Sequence, residues 1–309
     1  MTTHEPSPNS GFDARHEPVL VREVVALLEP RPDGTYVDCT VGLGGHTAAL
    51  LAAGAGRVIG LDRDAAALAR AGERLAAFGP RVDLVHADYR DLTHVLSARG
   101  AGPVDGVLAD LGVSSWQLDD PARGFSFRAN GPLDMRMDPS RDRSAAELIA
   151  GVDESTLADV IFKFGEERHA RRIARAIVRA RDRAPLVDTS TLASVVRRAA
   201  GGRGWQRIDP ATRTFQALRI WVNRELDGVD TFLESAVASL RAGGRLLVIA
   251  FHSLEDRIVK HTFRRLTDES PGVRALTRKP LRPGGDEVDH NPRARSARLR
   301  AVERVVAVV

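Results

Sequence analysis

Asp38-Cys39-Thr40-Val41-Gly42-Leu43-Gly44-Gly45-His46 sets three glycines within four residues behind a carboxylate. Glycines at this density let the backbone turn sharply and lie against a ligand, because no Cβ stands in the way. Asp62 follows Gly42 by 20 residues and closes Gly60-Leu61-Asp62. A carboxylate at that interval can accept hydrogen bonds from both hydroxyls of a ribose. Ala87-Asp88-Tyr89 adds an acid and a ring that could bond and stack an adenine. Two ligands answer to this set, a NAD-type dinucleotide and S-adenosylmethionine. Asp38 would sit poorly beside a pyrophosphate and well beside the cationic amino-acid end of S-adenosylmethionine. The spacing also departs from Gly-x-Gly-x-x-Gly, since the third glycine position falls on Thr47. The balance lies with S-adenosylmethionine, and a dinucleotide oxidoreductase is the alternative.

Such residues need strands and turns to hold them. Short β-branched runs at 36–39, 57–61, 82–86 and 104–109 alternate with longer helical patterns, the rhythm of βαβ units around a parallel sheet. The glycine turn should open a helix at Thr47. From Ser114 to Thr212 the rhythm gives way to a glycine- and proline-punctuated loop and charged helical periodicity, which reads as an inserted helical domain. An amphipathic helix carrying Phe215, Leu218, Val222 and Leu226 leads back to a strand at 245–251. A proline- and glycine-rich stretch over 276–292 is expected to be a loop, with a closing strand around 301–308. The expectation is an α/β Rossmann-like fold, 16–116 and 212–309 binding the cofactor, interrupted by 117–211 and preceded by a flexible tail over 1–15.

Composition narrows the setting. The longest clean apolar runs, such as 246–251, are strand-length, far below the ~18 residues of a membrane helix. Residues 1–15 hold two acids, two prolines and no apolar run, unlike a signal or transit peptide, so a cytoplasmic protein is expected. The single cysteine, Cys39, excludes an internal disulfide and a cysteine metal cluster; no metal is expected. Cys39 reads as a small core residue beside the cofactor turn, which argues against carbon-5 methylation of a pyrimidine through a thiolate. Net charge is +4 and the sequence pI about 9.8, which permits an anionic partner. His252, Ser253, Glu255 and Asp256 are hydrolase residue types, but no Gly-x-Ser-x-Gly elbow surrounds Ser253. Ser253 could instead cap a helix.

Longer segments carry a resemblance. They include His16-Glu17-Pro18-Val19-Leu20, the glycine turn, Asp110-Leu111-Gly112-Val113-Ser114-Ser115-Trp116-Gln117, Arg123-Gly124-Phe125-Ser126-Phe127 and Pro132-Leu133-Asp134-Met135-Arg136-Met137-Asp138. Gly165-Glu166-Glu167-Arg168, Pro210-Ala211-Thr212-Arg213-Thr214-Phe215, Phe251-His252-Ser253-Leu254-Glu255 and Asn291-Pro292-Arg293-Ala294-Arg295-Ser296 extend it over nearly the whole chain. The sequence resembles the ribosomal RNA small subunit methyltransferase H family. The resemblance implies a class I methyltransferase with a helical substrate-recognition insert, methylating N4 of a cytidine in the decoding region of 16S ribosomal RNA. It also implies that Gly44, Gly45, His46, Asp62, Tyr89, Asp110 and Gln117 contact S-adenosylmethionine. The glycine turn and Asp62 follow from the residues alone, whereas Asp110 and Gln117 rest on the resemblance. A non-catalytic ribosome assembly factor is a further alternative.

Methyl transfer from a sulfonium is an in-line displacement, so the protein must hold donor and acceptor in a near-attack geometry. Asp110, closing the fourth strand, is expected to orient the target amine. For the 16S ribosomal RNA partner in the small ribosomal subunit, residues 163–183 hold eight Lys/Arg against three Asp/Glu. Arg168, Arg171, Arg172 and Arg175 are the candidates there, with Arg136 outside that run. Arg293 and Arg295, with Arg298 and Arg300 nearby, and His252 and Ser253 complete the expected RNA-binding set, which would grip backbone without reading sequence. Trp116, Phe125 or Phe127 could hold a flipped-out base or pack between the domains.

Overall fold

The computed structural model describes residues 18–201 and 209–306. The expected tail over 1–15, His16 and Glu17, and the last two positions of the expected closing strand lie outside the described residues. Seven strands form one sheet: β1 (Thr35–Asp38), β2 (Arg57–Asp62), β3 (Val82–His86), β4 (Val104–Asp110), β5 (Leu240–Ala250), β6 (Val273–Ala275) and β7 (Arg298–Arg304). Their order is β3-β2-β1-β4-β5-β7-β6. The first five run parallel, and β7 lies antiparallel between β5 and β6. This is the Rossmann-like sheet of class I methyltransferases. Neighbours leave β1 in both directions, which opens a crevice at the carboxyl ends of β1 and β4.

The period-two alternation of the strands loads both faces of the sheet. Val37, Ile59, Val107 and Val248 point into one core, while Tyr36, Val58, Leu108 and Leu247 point into the other. Each such side chain, fully buried, contributes roughly 1.5–3 kcal/mol of transfer free energy. Strand β5 begins earlier than the expected 245–251 because its first residues pair irregularly with β4, the register shifting between Val104 and Gly106. β6 has only three residues, too short to leave a periodic signal.

A third core lies in the inserted region, where Leu157, Ile161, Ile173, Ile177, Leu192 and Val196 pack together. The helix Ala211–Asn223 joins it through Phe215, Leu218 and Val222, so we place the return to the sheet after Asn223 rather than at 212. That helix ends before Leu226, because Arg224 turns left-handed at φ 50° and Glu225 folds back onto Arg219. The expected loop over 276–292 contains the short helix Gly285–His290. Its Glu287 accepts the backbone N–H of Leu20 at 2.7 Å, which anchors a turn that glycine and proline content alone would leave irregular. Among the described residues no helix is long and apolar enough to cross a membrane.

Candidate active site

The ends of β1, β2 and β4 bring three carboxylates to one cavity region. Asp38 is fully buried and accepts the Thr47 hydroxyl at 2.7 Å and the Thr40 N–H at 3.2 Å. Asp62 accepts the N–H of Gly42 at 2.7 Å and of Asp64 at 2.8 Å. The first of these bonds fixes the glycine turn, where Gly42 and Gly44 hold φ of 53° and 80° that a side chain would strain. Asp110 presents its N–H to the Thr40 hydroxyl at 2.6 Å. Its Oδ1 is buried without a hydrogen-bond partner among the described residues, and its Oδ2 lies 3.7 Å from His46 Nδ1.

Burial lifts the carboxyls of all three. Asp62 rises to about 6, burial outweighing its backbone hydrogen bonds, and the negative charges of Asp64 and Asp38 add to the rise. Asp110 rises to about 7, burial again leading over the opposing pull of His46. A crowded set of acids at low dielectric favours a cationic ligand and repels a pyrophosphate.

The adjoining cavity holds about 690 Å³, within the size range of sites for small ligands and cofactors. Gly45, His46, Asp62, Tyr89, Asp110 and Gln117 line it, whereas Gly44 does not. Gly44 instead caps the helix Gly45–Ala52 and faces Leu75, where a Cβ would stand 3.0 Å from that side chain. The helix opens two residues before the expected Thr47. The Gln117 amide is already spent: Nε2 donates to Asp64 at 2.7 Å and Oε1 accepts the Ser114 N–H at 2.9 Å. It therefore laces the turn after β4 to the helix Ala65–Leu75, whose N-cap is Asp64. The Asp88 carboxylate, read as an adenine partner, is clamped by Arg90 at 2.7 and 2.6 Å. Tyr89 remains in the wall, its ring 4.7 Å from Phe232 and its hydroxyl donating to the Glu225 carbonyl at 3.2 Å.

The RNA candidates divide. Arg168, Arg171 and Arg295 are exposed and have no side-chain partner among the described residues. Arg136 closes on Asp134 at 2.8 and 2.7 Å, Arg172 on the Ala200 carbonyl, Arg175 on Glu154 at 3.2 Å and Arg293 on Asp119. Arg298 and Arg300 both engage Asp256, at 3.0 and 2.7 Å, so they brace β7 against the helix Ser253–Glu269 rather than extending toward solvent. His252, not Ser253, is the N-cap of that helix; Ser253 donates to Glu166 of the insert at 2.6 Å. Phe125 is buried in the third core and Phe127 packs on Phe215 at 4.8 Å. Trp116 lines the cavity between Arg70 and Arg123.

Sequence reasoning missed Arg219 and Glu225, which also line the cavity and pair at 2.9 and 2.8 Å. A signal was present. Arg219 falls on the same helical stripe as Phe215 and Val222, and a charge on a buried stripe demands a partner.

The MraW methylase family model matches residues 13–305. The chain belongs to this family. It is 53% identical to the ribosomal RNA small subunit methyltransferase H of Sorangium cellulosum, the alignment covering 97% of this chain and 94% of that one. It is 49% identical to the protein of the same name from Rhodopseudomonas palustris, over 96% and 93% of the two chains. For that from Thermomicrobium roseum the identity is 48%, over 94% of each. This MraW-family chain is a methyltransferase, and S-adenosylmethionine is its cofactor. The residues present fit that cofactor: Asp62 and Asp110, at the ends of β2 and β4, line the cavity and suit its positive charge, whereas Asp38, expected to meet its amino-acid end, is fully buried outside the cavity lining and holds Thr40 and Thr47. The dinucleotide alternative is set aside on the same electrostatics.

Proposed function

We propose that this protein methylates the exocyclic N4 of a cytidine in the decoding region of 16S ribosomal RNA, acting on the small ribosomal subunit in the cytoplasm. The observation that carries the reading is Asp110 Oδ1, a buried acceptor at the carboxyl end of β4 without a partner among the described residues. S-adenosylmethionine, when bound, supplies an electrophilic methyl carbon on a good leaving group. The cytidine amine is a weak nucleophile because its lone pair is shared with the ring. A carboxylate accepting one amine hydrogen raises the electron density on nitrogen and takes up the positive charge that grows there. Asp110 would take the proton that the amine gives up on methylation. With no cation beside it the carboxyl lies at about 7, so once the positive charge has left the site Asp110 can hold that proton near neutral pH. His46, donating through Nε2 to the Val19 carbonyl at 2.9 Å, turns Nδ1 toward Asp110 and steadies it.

The division of labour follows the three cores. We assign cofactor binding to the sheet domain and RNA docking to the helical insert, whose helix Ala170–Arg181 buries Ile173, Ala174 and Ile177 and turns Arg171, Arg172 and Arg175 outward. The test is incubation with methyl-labelled S-adenosylmethionine and small subunits from cells lacking the endogenous enzyme, followed by nucleoside analysis. Label in N4-methylcytidine, lost in Asp110→Ala, supports the reaction and the site. Label in another nucleoside overturns the substrate, and binding without label points to an assembly factor.

A further inference from the structure

Next to Asp110 the cavity is walled by a second polar cluster, Arg219, Glu225, His252 and Glu255. Glu255 is 1% exposed, and its Oε2 accepts the backbone N–H groups of Phe251 at 2.9 Å and His252 at 3.3 Å. His252 Nδ1 accepts the Glu255 N–H at 3.4 Å, which places the hydrogen of a neutral ring on Nε2. Nε2 lies 3.1 Å from Glu255 Oε1 but misaligned, and it is buried without a hydrogen-bond partner among the described residues. A buried N–H is rarely left unpaired unless something else is meant to meet it. Capping does not account for the imidazole, since serine, threonine, aspartate or asparagine would cap the helix better. The cluster abuts the turn after β4: a Cβ on Gly112 would stand 3.7 Å from Glu255 Oε1.

We propose that His252 and Glu255 read the edge of the target base and select cytosine over uracil, with Nε2–H donating to ring N3 and Oε1 accepting one hydrogen of the N4 amine. The proposal rests on the cytidine reading above. Cytosine shows an amine donor beside a ring acceptor, whereas uracil shows a carbonyl acceptor beside a ring N–H. Against uracil, N–H would face N–H and carboxylate would face carbonyl. Unpaired buried polar groups reject a wrong ligand more strongly than a missing apolar contact does. The second amine hydrogen is left for Asp110. Burial works against ionisation of Glu255, yet the His252 Nε2–H close to Oε1, the Arg219 charge and the Phe251 N–H hold its carboxyl below the usual range, so it remains an acceptor. Glu225, His252 and Glu255 also bring one potential metal-ligand atom each within 4.8 Å of the others. A divalent cation there would have to displace the Arg219 guanidinium from both oxygens of Glu225.

The test uses small subunits reconstituted with transcripts carrying cytidine or uridine at the position mapped by the labelling experiment. The uridine particle serves as competitor, and the ratio of its inhibition constant to the KM for the cytidine particle is measured. The wild type should show a ratio of about tenfold or more. His252→Asn, which keeps a good N-cap, should bring that ratio near one while S-adenosylmethionine affinity by calorimetry stays unchanged. Glu255→Gln keeps a capping-box residue but offers an amide N–H to the uracil carbonyl, so it should tighten binding of the uridine particle. Unchanged ratios in both variants overturn this proposal alone, since methylation of cytidine would persist. A wild-type ratio near one overturns the proposal and leaves the cytidine reading standing, since the labelled nucleoside decides that reading; label in another nucleoside overturns both. Loss of discrimination on adding a chelator would assign the cluster to a cation and also overturn it.

Discussion

His46 Nδ1 stands 3.7 Å from Asp110 Oδ2, while its other ring nitrogen is committed to the carbonyl of Val19 at 2.9 Å. A carbonyl can only accept, so Nε2 donates and Nδ1 is the nitrogen that faces Asp110. With no cationic ligand beside it, burial holds the Asp110 carboxyl at about 7 against the opposing pull of His46.

Cofactor affinity should therefore depend on pH. A cationic ligand stabilises the ionised forms of Asp110 and Asp62, whose carboxyls sit at about 7 and about 6. Above about pH 8 both are already ionised and binding releases no proton from them. As pH falls through 7 and then 6, binding must expel one and then two protons, and affinity drops up to about tenfold per unit for each. Calorimetric titration in two buffers of different ionisation enthalpy reads the released protons. A proton count near zero at pH 6 would refute the linkage.

Asp110→Asn should stabilise the cofactor-free protein while lowering turnover by about a hundredfold or more. Folding raises this carboxyl, so the folded state holds more protons than the unfolded between the ordinary value near 4 and about 7. Its contribution to stability is then lost as pH rises through that window and becomes a net cost above it. Asparagine removes the cost. Because Asp110 retains about a fifth of its side-chain exposure, the gain at pH 8 should be on the order of 1–3 kcal/mol, vanishing near pH 4. Denaturant unfolding at the two pH values measures it.

The sheet was legible because its strands are short apolar runs between punctuating glycines, and four of them end within one residue of expectation. Asp62 and the glycine turn were legible because their chemistry is local: one bond from Gly42 to Asp62 ties them together. Arg219 and Glu225 were not, since their partnership depends on where the helix Ala211–Asn223 stops. The arginines show the same limit. Sequence counts positive charges, but only the fold reveals that Arg298 and Arg300 meet Asp256 from the neighbouring helix.

Asp64 holds the site together from behind. Its carboxylate is 2% exposed, caps the helix Ala65–Leu75 through Ala66 and Ala67, accepts Gln117 at 2.7 Å and pairs with Arg123 at 2.8 Å. Asp64→Ala removes the cap and leaves a buried amide and a largely buried guanidinium without their acceptor. The expected loss is about 2–4 kcal/mol, together with weaker cofactor binding as the turn after β4 loosens. Asp64→Asn can keep the cap through its carbonyl oxygen but sets an NH2 against the Gln117 and Arg123 donors, so it should lose nearly as much. A loss in Asp64→Asn much smaller than in Asp64→Ala would show that the cap, and not the Gln117 and Arg123 contacts, carries the stability.

The exposed arginines make the last case, because affinity for RNA through phosphates has a signature that packing defects lack. Arg168 and Arg171 are exposed and have no side-chain partner among the described residues, so reversing them breaks no structural pairing. Each phosphate left without its cation lowers the slope of log affinity against log salt by somewhat under one unit. Arg168→Glu with Arg171→Glu should reduce that slope by about one to two units, weaken binding to small subunits about tenfold or more at low salt, and leave thermal stability and cofactor affinity unchanged. The same change at Arg298 and Arg300 should instead lower stability, since it sets like charges against Asp256. If the surface pair leaves the salt slope untouched, the basic face of the insert is an ordinary solvated surface and RNA docks elsewhere.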